Sequence, residues 1–349
     1  MSTKIVATLG PSSLDLDTLT HFKNNSVEIA RLNFSHDTVQ GHTDRALLAK
    51  SLGLKILIDL GGPKIRFGEF THPVNLIKDH IVALELQDFE QEYPFDYRYN
   101  DKNVLILPCR FDIADSTEAG KTLLIDDGKV NLEVVEIVDK KVFCKVVVAG
   151  MVKTAKGINL PYSSVKLPFL TDRDKHMLRE TIAVLRPEYV GCSFVKTSAD
   201  VDTMREFITH CLDWFEIKDY FPKISVKLET HEVVQPENLE KIVQACDIVM
   251  IARGDLALET LPAHIMVPHY QDEIVRLCQI YGTPFIVATE ALDSMMDKPT
   301  PSRAEISDIY RSIVLNKANY VMLSGESANG SFPKEAVSMM NSMIQQYGK

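Results

Sequence analysis

Short runs of β-branched and other apolar residues recur along the chain, separated by stretches in which apolar residues have a helical spacing. Eight such runs lie at 4–9, 27–34, 55–60, 188–195, 223–229, 247–253, 284–290 and 318–324. Strands that are apolar along their whole length are typical of a parallel sheet covered on both faces. Helical patterns lie between most of them, for example 171–185 and 269–281. The pattern predicts an α/β fold, a closed (β/α)₈ TIM barrel, with an open doubly wound sheet as the alternative.

One connection between predicted strands is too long to be a simple loop. Between Leu60 and Thr171 the chain has β-rich runs of its own, at 81–86, 103–107, 122–126, 130–138 and 141–149. A structureless loop of this length is uncommon in a compact domain. We therefore predict an all-β domain over 68–156, inserted after strand three, and a barrel formed by 1–67 and 157–349. On a βα loop, this insert would act as a lid over the catalytic face.

Composition and charge exclude some classes of protein. The formal net charge of −10 argues against a general nucleic-acid or membrane binder. No stretch is long and apolar enough to cross a bilayer, and the N-terminus has no signal-peptide profile. The six cysteines are scattered without a Cys-x-x-Cys pair, which indicates reduced thiols in a cytoplasmic protein.

The carboxyl ends of the predicted strands carry most of the unusual polar residues. Lys227 and Glu229 lie two apart, so they share one face of a strand. The next strand ends in Arg253, Gly254 and Asp255. Barrel enzymes build their active sites at this end of the strands. Two carboxylates beside a lysine and an arginine predict a divalent metal that holds a phosphorylated anion. The alternative for Lys227 is an ion pair with Glu229 alone.

The chain resembles the pyruvate kinase family from Lys4 to about Ala336, over a series of motifs in the family's order. These are KIVATLGPSS at 4–13, ARLNFSH at 30–36, IDLGGPKIR at 58–66, LIDDG at 124–128, KGINLP at 156–161, SVKLETHE at 225–232, ARGDL at 252–256, VATEALDSM at 287–295, PSRAEISD at 301–308 and MLSGESA at 322–328. The family's fold is a (β/α)₈ barrel with a β-domain inserted after strand three, as the hydrophobic pattern predicts. The resemblance implies a phosphotransferase that converts phosphoenolpyruvate and ADP to pyruvate and ATP.

The resemblance also implies roles for single residues on the phosphoenolpyruvate side. Glu229 and Asp255 would hold Mg²⁺ or Mn²⁺, which prefer carboxylate oxygens. Lys227 would stabilise the phosphoryl group in transfer, and Arg31 would bind the phosphate. The substrate-binding set implied by the family consists of Arg31, Lys227, Arg253, Gly254, Asp255 and Thr289. Thr289 would help to protonate the enolate through a water, because a threonine hydroxyl alone is too weak an acid.

On the nucleotide side, the positions that match the family are Arg66, Lys156, Asn33, His36 and Asp127. Closure of the lid would exclude water, so that the phosphoryl group goes to ADP rather than to hydrolysis. ADP, ATP, phosphoenolpyruvate and pyruvate are therefore the expected small-molecule partners. The expected assembly is a homodimer through barrel helices, or a monomer.

Several positions depart from the family pattern. Asn33, Ser35 and Asp59 match ligands of a monovalent cation, but Leu60 has no side-chain oxygen. With Leu60 and Lys64 the chain resembles the potassium-independent branch, in which the Lys64 ammonium group substitutes for the ion. Potassium is therefore not expected to be required. Further departures, which bear on nucleotide choice and turnover, are Glu290, Ala291, Asp293 and Asn329. The family's C-terminal effector domain is expected to be absent.

Two other functions remain open at this point. One is a metal-dependent lyase or aldolase acting on pyruvate or oxaloacetate, which would share the carboxylate metal site and an enolate intermediate. It would need neither Lys227 nor the insert at 68–156. The other is a non-catalytic or weakly active phosphoenolpyruvate-binding regulatory homologue, which the altered segment 290–293 leaves open.

Overall fold

The structure, a computed structural model, describes residues 2–87, 98–99, 103–163 and 165–348. The strands are β1 Lys4–Thr8, β2 Val27–Asn33, β3 Lys55–Asp59, β4 Val74–Leu76, β5 Ile81–Leu86, β6 Arg98–Tyr99, β7 Leu105–Cys109, β8 Thr122–Ile125, β9 Val130–Val138, β10 Lys141–Val148, β11 Gly150–Val152, β12 Ile158–Asn159, β13 Tyr189–Cys192, β14 Lys223–Leu228, β15 Ile248–Ala252, β16 Phe285–Ala288 and β17 Tyr320–Leu323. The helices are α1 Leu16–Asn24, α2 Val39–Ser51, α3 Asp172–Leu185, α4 Ser198–Trp214, α5 Pro236–Ala245, α6 Arg253–Glu259, α7 Val267–Tyr281, α8 Arg303–Tyr310, α9 Gly325–Ala328 and α10 Pro333–Tyr347.

Eight parallel strands close into a barrel in the order β1, β17, β16, β15, β14, β13, β3, β2. These strands coincide with the eight apolar runs of the sequence, so the predicted TIM barrel with an inserted β-domain is confirmed and the open doubly wound sheet is wrong. The strands are apolar on both faces because one face packs on the helices and the other fills the barrel. The buried interior cluster includes Val6, Ile29, Leu57, Met250 and Met322.

Local sequence signals set the helix that follows the insert. Thr171 is the N-cap of α3 and forms a capping box with Asp174, which is 4% exposed. The second oxygen of Asp174 accepts hydrogen bonds from the backbone N–H groups of Gly61 and Gly62, at 3.1 and 3.3 Å. The Asp174 carboxylate therefore links the segment directly after β3 to the N-terminal cap of α3.

Two compact units make up the chain. The first comprises 1–62, 169–254 and 268–349, and the second comprises 63–168 and 255–267. The second unit contains a seven-stranded sheet, in the order β12, β8, β9, β10, β5, β7, β6, and a two-stranded sheet of β11 and β4. The predicted insert, 68–156, falls within its first segment, and these boundaries stay a prediction. That 255–267 groups with this unit is not expected from the sequence.

The six cysteines are all free and buried. Burial raises the pKa of both Cys144 and Cys246 to about 12, and it raises the pKa of Cys109, Cys192 and Cys278 as well. Thiols with such pKa values carry almost no thiolate at neutral pH, so they serve as core packing rather than as nucleophiles. Within the described ranges, the structure contains no helix with the length and apolar character needed to cross a membrane.

Candidate active site

A buried arginine lies at the carboxyl end of the first two barrel strands. Arg31 and Thr8 are register partners on β2 and β1, and the Arg31 guanidinium donates a hydrogen bond to Thr8 Oγ1 at 2.9 Å. Its Nε donates to Asp59 Oδ2 at 2.7 Å, and a second guanidinium nitrogen lies 2.6 Å from the same oxygen. Arg31 is 7% exposed and Asp59 is 1% exposed. These bonds orient the guanidinium, so its remaining N–H groups, which lie in the plane of the group, have a fixed direction.

The Lys227 ammonium group lies between two buried carboxylates. Its Nζ is 3.2 Å from Glu229 Oε2 and 3.9 Å from Asp59 Oδ1, and it donates a hydrogen bond to Ser193 Oγ at 2.9 Å. Glu229 has no exposed surface, and its Oε1 accepts the Phe194 N–H at 2.8 Å. Arg31, Asp59, Lys227 and Glu229 therefore form a chain of alternating charge. We call these four residues the charge chain.

A glycine on the intervening strand lets the two halves of the charge chain approach each other. β13 lies between β3 and β14, and Gly191 is the register partner of both Asp59 and Ser225. A Cβ on Gly191 would lie 3.0 Å from Asp59 Oδ1 and 3.2 Å from the Asp59 Cα. A side chain there would press against Asp59, so glycine is favoured at this position by packing rather than by its dihedral angles.

A second group of site residues connects the ends of β15 and β16. Arg253 donates to the backbone oxygens of Ala288 and Thr289, at 3.0 and 2.6 Å, and pairs with Asp308 at 2.5 Å. Thr289 Oγ1 accepts the Gly254 N–H at 3.0 Å and donates to the Ala288 oxygen at 2.7 Å. Thr289 has a φ of +69°, which is unusual for a β-branched residue and indicates local strain. Arg253 fixes this turn by holding both of its carbonyls.

The residues that match a monovalent site lie at or just after the carboxyl ends of β2 and β3 in the first unit. Asn33 Oδ1 accepts the Ser35 N–H at 3.2 Å, and Leu60 is 2% exposed. Asp59, the third matching residue, has both oxygens directed at cationic groups.

The side chain of His36 is exposed, and its backbone oxygen accepts a 2.7 Å hydrogen bond from His42 Nε2. The departures Glu290 and Asp293 follow Thr289 in the chain.

In the second unit, Lys64 and Asp255 form a partly buried ion pair. Lys64 Nζ lies 2.7 and 2.9 Å from the two carboxylate oxygens of Asp255. The Asn159 amide nitrogen lies 3.3 Å from Asp255 Oδ1 and 2.8 Å from Glu259 Oε1. The structure thus brings together one predicted metal ligand, Asp255, and the predicted potassium substitute, Lys64.

The remaining nucleotide-side residues lie in the same unit. Lys156 pairs with Asp126 at 2.6 Å, while Arg66 donates to the Ala155 oxygen at 3.0 Å. Burial raises the pKa of Asp126, but hydrogen bonds from Lys156 and Lys129 outweigh it, so the pKa lies below its usual value. Asp127 is exposed at a φ of +60° in the turn between β8 and β9. The carboxylate that Lys156 contacts is that of Asp126, the residue before Asp127.

Sequence reasoning missed several residues that hold the predicted ones. Thr8, Ser193 and Asp308 orient Arg31, Lys227 and Arg253, and Asn159 with Glu259 contacts Asp255. Thr8 and Ser193 lie at or after strand ends, a signal that could have been used. Asn159 and Glu259 lie one hundred residues apart in the chain, and no local pattern connects them.

Comparison with known proteins gives consistent results over nearly the full chain. The family model described as the barrel domain of pyruvate kinase matches residues 1–337. The chain is 34% identical to a pyruvate kinase of Agrobacterium vitis, with 99% of this chain and 68% of that protein covered. For a pyruvate kinase of Lachancea kluyveri the identity is 36%, with 97% and 66% covered. The crystal structure of a pyruvate kinase from Cryptosporidium parvum superposes with a TM-score of 0.88 at 29% identity, covering 99% of this chain and 69% of that one. The chain therefore spans about two thirds of the length of these relatives.

Proposed function

The chain belongs to the pyruvate kinase family, and we propose that it transfers the phosphoryl group of phosphoenolpyruvate to ADP, giving pyruvate and ATP. The observation that carries this proposal is the charge chain: a largely buried lysine held between two buried carboxylates, with an oriented arginine beside it. Buried cations with fixed directions suit a transferring phosphoryl group, whose transition state spreads negative charge over several oxygens.

Lys227 is the residue that we expect to act on the phosphoryl group. Its ammonium group is held by Ser193 and Glu229, and its side chain is 15% exposed. Because the two carboxylates fix its position, little reorganisation is needed when charge develops on the substrate. Arg31 would bind the phosphate with the guanidinium nitrogens that its bonds to Asp59 and Thr8 orient.

The carboxylates Glu229 and Asp255 suit Mg²⁺ or Mn²⁺ in their chemistry. Both are hard oxygen donors, and the described part of the chain contains no cluster of three or more His, Cys, Asp or Glu able to hold a metal. Two protein ligands, with the rest from substrate and water, are typical of magnesium at phosphate sites. When bound there, the cation would neutralise charge on the phosphoryl oxygens and polarise the enolate oxygen.

Thr289 and its neighbours would bind the substrate carboxylate and assist protonation of the enolate carbon. The Thr289 hydroxyl donates its proton to the Ala288 oxygen. The hydroxyl oxygen would therefore accept a hydrogen bond from a water and orient it, rather than serve as the acid itself. Arg253 would hold this turn in place from behind, through its bonds to both carbonyls. The proton at the enolate carbon would then come from an oriented water.

For the nucleotide, we propose binding by Arg66, Lys156, Asn33, His36 and Asp127. Arg66 and Lys156 supply positive charge for the phosphates of ADP, and each is oriented by a backbone or carboxylate oxygen of the second unit. Exclusion of water by this unit would direct transfer to ADP rather than to hydrolysis.

A lactate-dehydrogenase-coupled assay of pyruvate formation, run with and without ADP, tests the proposed function. We expect pyruvate from phosphoenolpyruvate with Mg²⁺ and ADP together, and almost none when ADP is omitted. Pyruvate formed from oxaloacetate at a comparable rate without ADP would instead support the lyase. Tight binding of phosphoenolpyruvate with no turnover under any condition would support the regulatory homologue.

Activity is expected to need a divalent cation but no potassium. Leu60 is buried and has no side-chain oxygen, whereas the Lys64 ammonium group contacts Asp255 at 2.7 and 2.9 Å. Leu60 would thus remove one ligand of a potassium ion, and the Lys64 ammonium group would supply the positive charge that the ion otherwise provides. The measurement is the initial rate with Mg²⁺ in tetramethylammonium buffer, titrated with KCl at constant ionic strength. A rise of many-fold on adding potassium would show that the monovalent site formed by Asn33, Ser35 and Asp59 is functional.

A further inference from the structure

The Asn159 side chain bridges two carboxylates of one helix in the second unit. Its amide nitrogen lies 3.3 Å from Asp255 Oδ1 and 2.8 Å from Glu259 Oε1. Asp255 and Glu259 are four residues apart in α6, so their side chains project from the same face of the helix. Asn159 is 3% exposed and Glu259 is 8% exposed, so water competes little for these bonds.

The orientation of the Asn159 amide follows from the chemistry of its neighbours. An ionised carboxylate only accepts hydrogen bonds, and both contacts are carboxylate oxygens. The amide nitrogen, with its two N–H groups, must therefore face them, because the amide oxygen in that place would repel both. The two N–H groups suffice for one hydrogen bond to each carboxylate.

Like charges four residues apart on a helix repel each other, and donors placed between them offset the repulsion. Lys64 supplies positive charge to both oxygens of Asp255, at 2.7 and 2.9 Å. Asn159 supplies neutral donors that tie Asp255 to Glu259. Lys64 and Asn159 both hold Asp255, and the Asn159 amide is in turn anchored on Glu259, a buried group of the same helix.

We propose that Asn159 and Glu259 are positioning residues for Asp255. The buried Glu259 carboxylate fixes the Asn159 amide, and the amide in turn fixes the rotation of the Asp255 carboxylate. The inference rests on the proposed function, in which Asp255 is a ligand of the divalent cation. Outer-shell partners of metal-binding carboxylates typically contribute about 10- to 100-fold in metal affinity or activity when they are removed.

Mn²⁺ binding to the full chain, followed by the electron paramagnetic resonance signal of free Mn²⁺, tests this role. We expect the Asn159→Ala variant to bind Mn²⁺ about tenfold or more weakly than the wild type. In the pyruvate assay, the Mn²⁺ concentration for half-activation should rise by a similar factor, while the rate at saturating Mn²⁺ returns towards that of the wild type. A purely structural defect would lower the rate at all Mn²⁺ concentrations and leave the half-activation point unchanged.

The matched control is Tyr162→Phe. The Tyr162 hydroxyl donates to the Leu261 oxygen at 3.2 Å, so this variant loses a hydrogen bond between the same two chain segments without touching Asp255. Its Mn²⁺ affinity should stay within about twofold of the wild type, because the lost hydrogen bond does not involve Asp255. Glu259→Ala, which removes the anchor of Asn159, should weaken Mn²⁺ binding as Asn159→Ala does, and it decides the matter if Asn159→Ala fails to fold.

Asp255→Asn separates failure of this inference from failure of the proposed function. If Asp255→Asn loses Mn²⁺ binding while Asn159→Ala and Glu259→Ala keep the wild-type affinity, the positioning role is wrong and the metal role of Asp255 stands. If Asp255→Asn itself binds Mn²⁺ as the wild type does, the proposed metal role fails, and the positioning role with it.

Discussion

The Lys227→Met variant is expected to form pyruvate at about one thousandth of the wild-type rate or less. Methionine keeps much of the length of lysine but removes the cation that would neutralise charge on the transferring phosphoryl group, and such groups contribute about 10²- to 10³-fold or more. Mn²⁺ and phosphoenolpyruvate should still bind, because Glu229, Asp255 and Arg31 remain. The measurements are the turnover rate in the coupled assay and equilibrium binding of phosphoenolpyruvate in the presence of Mn²⁺.

The matched control is Lys223→Met, on the same strand. Lys223 begins β14 and its side chain is exposed, so it offers the same chemical change at the other end of the strand. Wild-type turnover is expected there. Loss of Lys227 also leaves Asp59 and Glu229 without the cation between them, so unfolding should be measured in parallel. A folded Lys227→Met variant with near wild-type turnover would overturn the catalytic role and leave the ion pair with Glu229 as the function of Lys227.

The barrel could be predicted because its strands carry their signal locally. A parallel strand buried on both faces must be apolar along its length, and eight such runs alternate with helical patterns. The predicted ends were too long by one to three residues at several strands, for example 188–195 against Tyr189–Cys192. Residues in the turn after a strand can be apolar or β-branched, as Thr289 is after β16, so the pattern alone does not mark where strand pairing ends.

Part of the site could be predicted from strand ends, because carboxyl ends of parallel strands converge at one end of a barrel. Arg31, Asp59 and Lys227 come together in this way. The pairing of Asp59 with both cations could not be predicted, since it depends on the register across β13 and on the absence of a side chain at Gly191. The Asn159 contacts with α6 depend on how segment 255–267 packs within the second unit, which no periodicity encodes.

Asp59→Asn is expected to be the most destabilising of the conservative changes in the charge chain. Asp59 is 1% exposed, and it contacts the Arg31 guanidinium at 2.6 Å and lies 3.9 Å from the Lys227 ammonium. Removing one partner of a buried ion pair typically costs roughly 3–5 kcal/mol, because the other charge stays buried without compensation. The free energy of unfolding, from urea denaturation at pH 7, should fall by an amount of this order. Pyruvate formation should fall as well, since Arg31 loses the carboxylate that orients it and Lys227 loses one of its two flanking carboxylates.

The Arg186–Asp219 pair provides the matched control, because the same two residue types meet there in solvent. Their side chains are 46% and 74% exposed, and the nitrogen and oxygen lie 3.2 Å apart. Exposed pairs contribute roughly 0–1 kcal/mol, so Asp219→Asn should leave both unfolding and turnover almost unchanged. Equal, small effects of the two variants would mean that Asp59 is hydrated and only loosely coupled to Arg31. A large loss of both unfolding free energy and turnover for Asp59→Asn alone would mean that this one buried carboxylate stabilises the barrel and also orients the cations of the charge chain.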